Sequence, residues 1–364
     1  MASAKSPPVV VVDGLRAIVR GLTALTRKLA PPPIPLLEIV MGHARVHALG
    51  AIARLGIADL LANGAHDVGY LAHSTGTDEG ALLRVLRALA SEGILDQQGP
   101  RTFALNEISE PLRSDHPLSI RHTVIQIAAP WSVRSFLGMN ETLRDGAPEF
   151  PRIFGKNVWD YFAQDAPEEG RHFHHSMREI SRLDVPGLVS AYDFGQHASL
   201  IDLGGGGGQL LAGILAAAPR SRGTVYDLPS SVAEAKSTLR AAGVLERATI
   251  ETGSFFEHVP SGHDAYLLRQ VTHSLNDADL DRLLRRVRDA MKPGARLVVM
   301  DALVPAHGEV GAYPAYLDLL VLVVSGGRER TREDMGRAFE RNGFRLREVI
   351  RTPGMTALFI GEPS

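Results

Sequence analysis

The chain has 364 residues, enough for two domains, and a hydrophobic content of 45% supports an ordinary globular core. The formal net charge is -2 with 22% charged residues, so no global electrostatic field favours nucleic acid or an anionic membrane. Cysteine is absent, which excludes disulfides, thiolate metal sites and cysteine nucleophiles and is compatible with the cytoplasm, the compartment that we expect.

The N-terminal region, residues 1–35, is predicted to be an amphipathic helix followed by a proline-rich spacer. Residues 13–29 place Leu15, Ile18, Val19, Leu22 and Leu25 on one helical face. Packing against a partner subunit is the favoured role of this face, and binding to a membrane surface is the alternative. No segment approaches the roughly twenty uninterrupted apolar residues that span a bilayer, and residues 9–12 are too short for an export signal, so no membrane partner is expected.

Residues 36–195 are predicted to be mainly helical, and part of this stretch has the element order of a winged helix. The pattern predicts helices over residues 68–75 and 78–92 and a hairpin over residues 94–105. A winged-helix transcriptional regulator is therefore an alternative. A DNA-reading module needs a positive face for the phosphates, and the excess of acidic over basic side chains in this stretch argues against one. Residues 67–105 carry three basic side chains (Arg84, Arg87, Arg101) against five acidic ones (Asp67, Asp78, Glu79, Glu92, Asp96).

Three closely spaced histidines, His172, His174 and His175, raise the possibility of a metal site. Adjacent histidines on a helix point in different directions, and no H-E-x-x-H pattern stands nearby. We therefore expect no metal.

A short apolar run over residues 198–203 ends in five consecutive glycines and leads into a segment with helical periodicity. This pattern predicts a strand, a tight turn and a helix, in which bare backbone and free N–H groups can contact a ligand. A turn of this kind suits a nicotinamide cofactor, a flavin, a nucleotide or S-adenosylmethionine.

A second predicted strand, residues 223–228, carries Asp227 about twenty residues after the glycines, the spacing that places a carboxylate on a ribose diol. The alternative role of Asp227 is the N-cap of a helix beginning at Leu228-Pro229-Ser230. The glycines match neither a pyrophosphate fingerprint nor a P-loop, which favours a nucleoside without phosphates.

Five motifs in order make residues 198–362 resemble the class I S-adenosylmethionine-dependent small-molecule O-methyltransferases, the plant caffeate-type and bacterial polyketide-tailoring group. The motifs are Asp202-Leu203-Gly204-Gly205-Gly206, Tyr226-Asp227-Leu228-Pro229, Gly253-Ser254-Phe255-Phe256, Leu268-Arg269-Gln270-Val271-Thr272-His273 and Gly326-Gly327-Arg328-Glu329-Arg330-Thr331.

The resemblance implies an α/β fold with two main parts. Residues 196–364 are expected to form a Rossmann-like, doubly wound catalytic domain that binds S-adenosylmethionine and ends in an antiparallel hairpin. Residues 36–195 are expected to form a winged-helix-like domain that makes a homodimer and covers the partner's active site. The implied reaction is methyl transfer to a hydroxyl of an aromatic or polycyclic small molecule in secondary metabolism.

The resemblance also implies a set of cofactor-binding residues, in which Arg269 meets the cofactor carboxylate. This sequence departs from the family where Ser254 replaces an aspartate and where Ser274-Leu275 follow the catalytic histidine in place of Asp-Trp. We therefore expect weaker or slightly rearranged cofactor binding. The predicted cofactor residues are Asp202, Gly204, Gly206, Asp227, Leu228, Ser254, Phe255, Arg269 and Phe173.

The catalytic residues implied by the resemblance are His273 as general base, with Asp301 and Glu329 flanking it. A hydroxyl is a poor nucleophile until its proton is removed, so the base must be neutral, and a carboxylate can orient it. Some relatives on this fold bind the same cofactor and perform hydroxylation, decarboxylation or pericyclic chemistry, which remains the alternative function.

The substrate cleft is expected to be apolar. The spacing of Phe173 and Met177 puts both on one helical face, where ordinary core packing is the alternative role. The predicted lining residues are Trp131, Phe162, Phe173, Met177 and Leu320.

Overall fold

A computed structural model describes residues 7–305 and 312–364, so residues 1–6 of the predicted N-terminal region lie outside the described residues. The chain divides into two compact units. One, here the helical unit, comprises residues 13–133 and 168–180. The other, here the sheet unit, comprises residues 134–167 and 181–364 together with the described residues up to Val12.

The helical unit contains the two predicted helices, both capped, and a small three-stranded antiparallel sheet that includes the predicted hairpin. Asp67 and Asp78 cap two helices by accepting backbone N–H groups at 2.7 Å. Its elements are α1 (Val9–Leu29), α2 (Pro33–Val40), α3 (Gly42–Leu55), α4 (Ile57–Leu60), β1 (His66–Asp67), α5 (Val68–Thr75), α6 (Glu79–Ser91), β2 (Asp96–Gln97), β3 (Thr102–Ala104) and α7 (Arg121–Ile127), with the strands ordered β1-β3-β2.

Helices α1 to α3 expose much of their apolar surface. The stretch Pro33–Leu55 is long and apolar enough to cross a membrane by length and composition, and 17% of its most apolar window is buried. The stretch is this long because α2 and α3 join at Met41 into one helical run. The charged residues Glu38 and Arg45 lie within that run.

The sheet unit is built on seven strands in the order β6-β5-β4-β7-β8-β10-β9. Neighbours from β6 to β8 are parallel, while β10 runs antiparallel to both β8 and β9, which confirms the predicted closing hairpin. The strands are β4 (Ser199–Leu203), β5 (Arg222–Asp227), β6 (Ala248–Thr252), β7 (Ala265–Arg269), β8 (Arg296–Ala302), β9 (Phe344–Arg351) and β10 (Thr356–Pro363).

Helices cover the sheet because its central strands are apolar on both sides, as parallel strands usually are. Leu200 and Ile201 are consecutive in β4, and both are fully buried. The remaining helices are α8 (Pro130–Leu137), α9 (Met139–Asp145), α10 (Glu149–Phe154), α11 (Val158–Gln164), α12 (Pro167–Ala191), α13 (Gln209–Ala217), α14 (Ala235–Ala241), α15 (Asp277–Ala290), α16 (Ala312–Ser325) and α17 (Arg332–Arg341). This topology brings the carboxyl ends of β4, β5, β7 and β8 to one edge, where ligands bind in doubly wound sheets.

Candidate active site

The glycine turn after β4 presents bare backbone at this edge. Gly204, Gly206 and Gly208 all have positive φ, at 74°, 50° and 76°, a conformation that side chains other than glycine rarely adopt. A Cβ on Gly204 would lie 2.7 Å from Cγ2 of Val271, so no larger residue fits there. The turn therefore leaves room for a ligand close to the main chain and to the start of α13.

Asp227 at the end of β5 faces the glycine turn. Its two carboxylate oxygens accept the backbone N–H groups of Gly206 at 2.9 Å and Leu228 at 2.6 Å. Burial raises the pKa of Asp227, against the opposing effect of these two bonds. The N-cap alternative is wrong, because the next helix begins at Ala235 and residues 228–234 form turns. A carboxylate accepts about four hydrogen bonds, so capacity remains for a diol.

A small cleft beside the turn contains one acceptor and one donor without hydrogen-bond partners in the described chain. These are Oδ2 of Asp202 and Nε of Arg269, both buried. Burial raises the pKa of Asp202 to about 7, although the charge of Arg269 opposes the shift. The cleft is lined by Ser181, Asp202, Gly204, Gly205, Gln209, Leu210 and Arg269.

This donor and acceptor fit the α-amino acid part of S-adenosylmethionine. A carboxylate oxygen can accept from an ammonium group, and a guanidinium N–H can donate to a carboxylate. A Cβ on Gly205 would lie 2.8 Å from Oδ2 of Asp202, so glycine at that position keeps the carboxylate accessible. Cofactor binding by Asp202 and Arg269 stays a prediction, which these two orphaned atoms fit.

Arg269 is held by side chains that sequence reasoning missed. Its guanidinium donates to Oγ of Ser181 at 2.9 Å and to Asp184 at 3.3 Å. The hydroxyl of Thr356 donates to Asp184 at 2.8 Å, although these two residues lie 172 positions apart. No local pattern could have revealed a contact of that sequence separation.

Ser254 and Phe255 follow β6 near the glycine turn. The hydroxyl oxygen of Ser254 accepts the backbone N–H of Phe256 at 3.2 Å, so it stabilises its own turn and keeps its hydrogen as a donor. Cε1 of Phe255 lies 3.6 Å from where a Cβ of Gly204 would stand, which places the ring beside the turn. Leu228 is exposed next to Asp227.

His273 lies in a short 3₁₀ turn, Thr272–Ser274, directly after β7. Its Nδ1 lies 2.7 Å from Oε1 of Glu329, and the Glu329 side chain is fully buried. An ionised carboxylate only accepts hydrogen bonds, so Nδ1 donates and Nε2 is the second ring nitrogen. The N–H of Glu329 donates to Asp318 on α16 at 2.6 Å, which holds this segment in place.

Asp301 contacts the turn and not the imidazole ring. Its Oδ2 accepts the hydroxyl of Thr272 and, at 3.1 Å, the backbone N–H of His273. Its Oδ1 has no hydrogen-bond partner among the described residues. Asp301 and Glu329 therefore differ in function, because one holds the backbone of the turn and the other holds the ring.

The pKa of His273 is raised to about 9. Burial by itself lowers it, but the negative charge and hydrogen bond of Glu329 outweigh burial, with a smaller contribution from Asp301. Burial in turn raises the pKa of Glu329. The charge of Glu329 therefore favours the protonated imidazole, whereas a general base must be neutral to accept a proton.

Gly327 allows the Glu329 segment to approach the histidine turn. A Cβ on Gly327 would collide with the backbone oxygen of His273, and Gly326 has a positive φ of 72°. Gly326 and Gly327 begin the last of the five sequence motifs, but their steric role was not predicted. Leu275 is buried in the apolar core, so it replaces the family's tryptophan with a packing residue.

The predicted substrate residues divide between the two units. Phe162 and Leu320 belong to the sheet unit, and Trp131, Phe173 and Met177 belong to the helical unit. Trp131 and Phe162 are buried, while Phe173, Met177 and Leu320 are half-buried on their own helices.

The histidine group lies within the helical unit. The Nδ1 atoms of His172 and His122 lie 2.8 Å apart, and the ring of His175 stacks on that of His122. Over residues 7–305 and 312–364, no group of three or more His, Cys, Asp or Glu side chains could hold a metal ion.

The strand order, the glycine turn and the acidic residue ending β5 define a class I methyltransferase. Residues 136–345 match the O-methyltransferase domain family, and residues 37–115 match the O-methyltransferase dimerisation domain family. The chain belongs to the S-adenosylmethionine-dependent O-methyltransferases, and S-adenosylmethionine is its cofactor.

Three similar proteins illustrate the range of the family. O-demethylpuromycin-O-methyltransferase of Streptomyces alboniger is 37% identical, over 88% of this chain and 86% of its own length. The 8-amino-8-demethylriboflavin N,N-dimethyltransferase of Streptomyces davaonensis is 36% identical, over 81% of this chain and 85% of its own length. The structure of CalO1, a methyltransferase of calicheamicin biosynthesis with bound S-adenosylhomocysteine, is 31% identical with a TM-score of 0.78, covering 92% and 98% of the two chains.

Proposed function

We propose that this enzyme transfers a methyl group from S-adenosylmethionine to a hydroxyl of an aromatic or polycyclic small molecule in secondary metabolism, with His273 as general base. The observation that supports the base most directly is its buried pair with Glu329 at the ligand-binding edge. Relatives that methylate puromycin-type and riboflavin-type molecules support a ring-bearing acceptor.

We assign the cofactor's amino acid part to Asp202 and Arg269 and its ribose diol to Asp227. Gly204 and Gly206 supply the open backbone, and the remaining proposed contacts are Leu228, Ser254, Phe255 and Phe173. When bound, the cofactor supplies an activated methyl group on a sulfonium that is already a good leaving group. This chain therefore needs to supply positioning and a proton acceptor.

In the proposed reaction, Nε2 of His273 would take the proton of the acceptor hydroxyl. Glu329 holds Nδ1 and so fixes the ring, and its charge stabilises the imidazolium that forms. Asp301 keeps the turn in place through the His273 backbone. Only the neutral imidazole can accept this proton, so the raised pKa predicts an activity that increases towards alkaline pH.

Methylation of a nitrogen is a second candidate, because one relative is named as an N,N-dimethyltransferase. An amine acceptor is already nucleophilic and needs less help from a base. The two reactions differ in their dependence on His273, which an oxygen acceptor needs more than a neutral amine does.

We propose that the enzyme is a homodimer and that α1, α2 and α3 supply part of the interface. Residues 37–115 match the dimerisation family, and α2 enters that range with exposed apolar side chains. A dimer would bury this face and would account for the membrane-like composition of Pro33–Leu55. The domain boundaries 1–35, 36–195 and 196–364, and a cytoplasmic location, remain predictions.

The cofactor assignment and the acceptor class can be tested separately. Isothermal titration calorimetry with S-adenosylmethionine and S-adenosylhomocysteine should show binding of both. If the enzyme binds neither compound, the assignment of this site is wrong. A screen of phenolic, polycyclic and aromatic amine acceptors, read by mass spectrometry, should then show a mass increase of one methyl group and identify the acceptor atom.

A further inference from the structure

A buried arginine contacts the turn that carries His273. The guanidinium of Arg330 donates from Nη1 to the carbonyl oxygen of Thr272 at 2.7 Å and from Nη2 to that of Leu275 at 2.9 Å. These two carbonyls lie on either side of His273 in the sequence. One side chain thus joins both ends of the turn, and only 2% of it is exposed.

Burying the charged guanidinium of Arg330 costs free energy, which its contacts must offset. A desolvated guanidinium loses hydration that an ion pair restores only when the geometry of the pair is excellent. Asp277, its carboxylate partner at 2.9 Å, is half exposed and shared with Arg328, so this ion pair is weak. The shorter contact of Arg330 is to the neutral carbonyl of Thr272.

We propose that Arg330 is a positioning residue whose guanidinium holds the Thr272–Ser274 turn so that the ring of His273 stays on Glu329. This inference rests on the proposed function of His273 as general base. Arg330 follows Glu329 directly, so one short segment sets both the ring contact and the turn contact. Loss of the guanidinium would let the turn move relative to Glu329.

A lysine cannot replace this arginine. The guanidinium is a planar fork with separate N–H groups aimed at the two carbonyls, whereas an ammonium is a compact point charge. Arg330→Lys therefore keeps the charge and loses the paired geometry. Arg330→Gln loses both.

The effect of the Arg330 charge on His273 can be separated from the effect of its geometry, because lysine keeps the charge and loses the paired contacts. Glu329, on the same segment, and Asp301, on β8, both raise the pKa of His273, and Arg330 opposes them. Asp318 on α16 is a further charged neighbour, which accepts the backbone N–H of Glu329. Lysine keeps the positive charge, so a change in the titration of His273 in Arg330→Lys reports a loosened contact with Glu329.

The experiment compares Arg330→Lys, Arg330→Gln and Arg328→Gln in the full-length enzyme. We expect kcat to fall by about 10- to 100-fold in Arg330→Lys, as is usual for a misplaced catalytic group, with an unchanged KM for S-adenosylmethionine. The pH midpoint should move to lower pH, because a ring that moves away from Glu329 loses the contact that raises its pKa. Arg330→Gln should lower kcat at least as much. Arg328→Gln is the matched control, since Arg328 pairs with the same Asp277 from an exposed position and should keep wild-type kcat.

Wild-type kcat and pH midpoint in Arg330→Lys would overturn the inference. If Arg330→Gln does not fold, Arg330→Lys still decides between the outcomes. The titration of His273 in ¹⁵N-histidine-labelled protein, read by NMR without substrate, gives a readout that does not depend on methyl transfer. Spectra of His273 that are unchanged in both variants count against the positioning role. Full activity of His273→Ala counts instead against the proposed function.

Discussion

Nδ1 of His273 and Oε1 of Glu329 lie 2.7 Å apart, in a pair that joins two segments 56 residues distant in the chain. Both side chains are largely withdrawn from water, at 11% and 0% exposure. Such a pair titrates as one unit, and the negative charge of Glu329 raises the pKa of the imidazole. The distance and the burial together set the orientation, the tautomer and the alkaline pKa of the proposed base.

Removal of the base should slow turnover without affecting the cofactor. His273→Ala is expected to lower kcat on a hydroxyl acceptor by about a hundredfold or more, which is the usual contribution of general-base catalysis. Calorimetry should give a wild-type affinity for S-adenosylmethionine, because the proposed cofactor contacts lie elsewhere. Near-normal turnover at neutral pH would show that the acceptor ionises unaided or that proximity alone drives transfer, and the assignment of His273 would be wrong.

The pH dependence follows from the raised pKa of His273. Only the neutral imidazole accepts a proton, and at pH 7 a base with a pKa of about 9 is neutral in roughly one molecule in a hundred. The kcat/KM profile should therefore increase with pH, reach half of its plateau near pH 9 and level off above it. Glu329→Gln removes the charge that raises the pKa, so its midpoint should move to lower pH. A profile that is flat between pH 6 and pH 9 would contradict the titration of His273 as the controlling step.

The same pair contributes to stability in a defined pH range. The folded pKa of His273 lies above its ordinary value of 6.5, so the protonated form stabilises the fold. This contribution is fully present below about pH 6.5 and is lost as the pH rises through about 9. In His273→Ala, the difference in free energy of unfolding from the wild type should shrink between those limits, as followed by urea denaturation at several pH values.

Removing the charge of Asp202 should stabilise the cofactor-free fold and weaken cofactor binding. Its pKa is raised from 3.8 to about 7 by burial, so the ionised carboxylate opposes folding, increasingly as the pH rises from about 4 to 7. Asp202→Asn should therefore raise the melting temperature of the cofactor-free protein, more at pH 8 than at pH 4. It should also weaken S-adenosylmethionine binding by about ten- to a hundredfold, because the neutral amide is a poorer acceptor for an ammonium group.

Asp264→Asn is the matched control for this variant. Asp264 precedes β7 at the opposite edge of the sheet, where it accepts the N–H of Ser199 at 2.9 Å and pairs with Lys292 at 2.7 Å. Its pKa is lowered, chiefly by the hydrogen bond to Lys292, so its removal should not stabilise the fold. Unchanged cofactor affinity in Asp202→Asn, alongside the same result in Asp264→Asn, would remove Asp202 from the cofactor site.

The apolar face of α1 should contribute to dimer stability. Leu15 and Leu22 are both 59% exposed in the single chain, on the face that the sequence pattern predicts to pack against a partner. The double variant Leu15→Gln and Leu22→Gln should raise the dimer dissociation constant, measured by sedimentation velocity over a concentration series. The loss of apolar burial on association supplies the effect.

A second double variant, Arg16→Gln and Arg20→Gln, changes the polar side of the same helix and should leave the dissociation constant close to wild type. Flotation with vesicles of anionic lipid distinguishes the alternative role. If the leucine variant stays dimeric at all concentrations and loses vesicle binding that the wild type shows, α1 is a membrane-surface helix and the interface proposal fails.

The strand and helix order could be predicted because local patterns decide it. Asp67 and Asp78 cap helices where the pattern places their starts, and the antiparallel closing hairpin appears where two apolar runs are separated by a short turn. The start of the helix after β5 was predicted wrongly, because Leu228-Pro229-Ser230 has a typical helix-starting composition but forms turns. There Asp227 accepts the backbone N–H of Gly206, a residue of the preceding glycine turn. This contact between separate segments overrides the helix-starting preference of the local sequence.

The sequence by itself determined which residue types reach the ligand-binding edge, since the glycine turn, Asp227, Arg269 and His273 each follow a recognisable strand. Only the tertiary structure decided how those residues are held. Glu329 contacts the ring and Asp301 the backbone of the same histidine, and Asp184 connects Arg269 to Thr356. These contacts join residues that are distant in sequence, and the burial that raises the pKa of Asp202 is a property of the packed sheet. Neither can be read from a local pattern, because both arise when separate segments exclude water together.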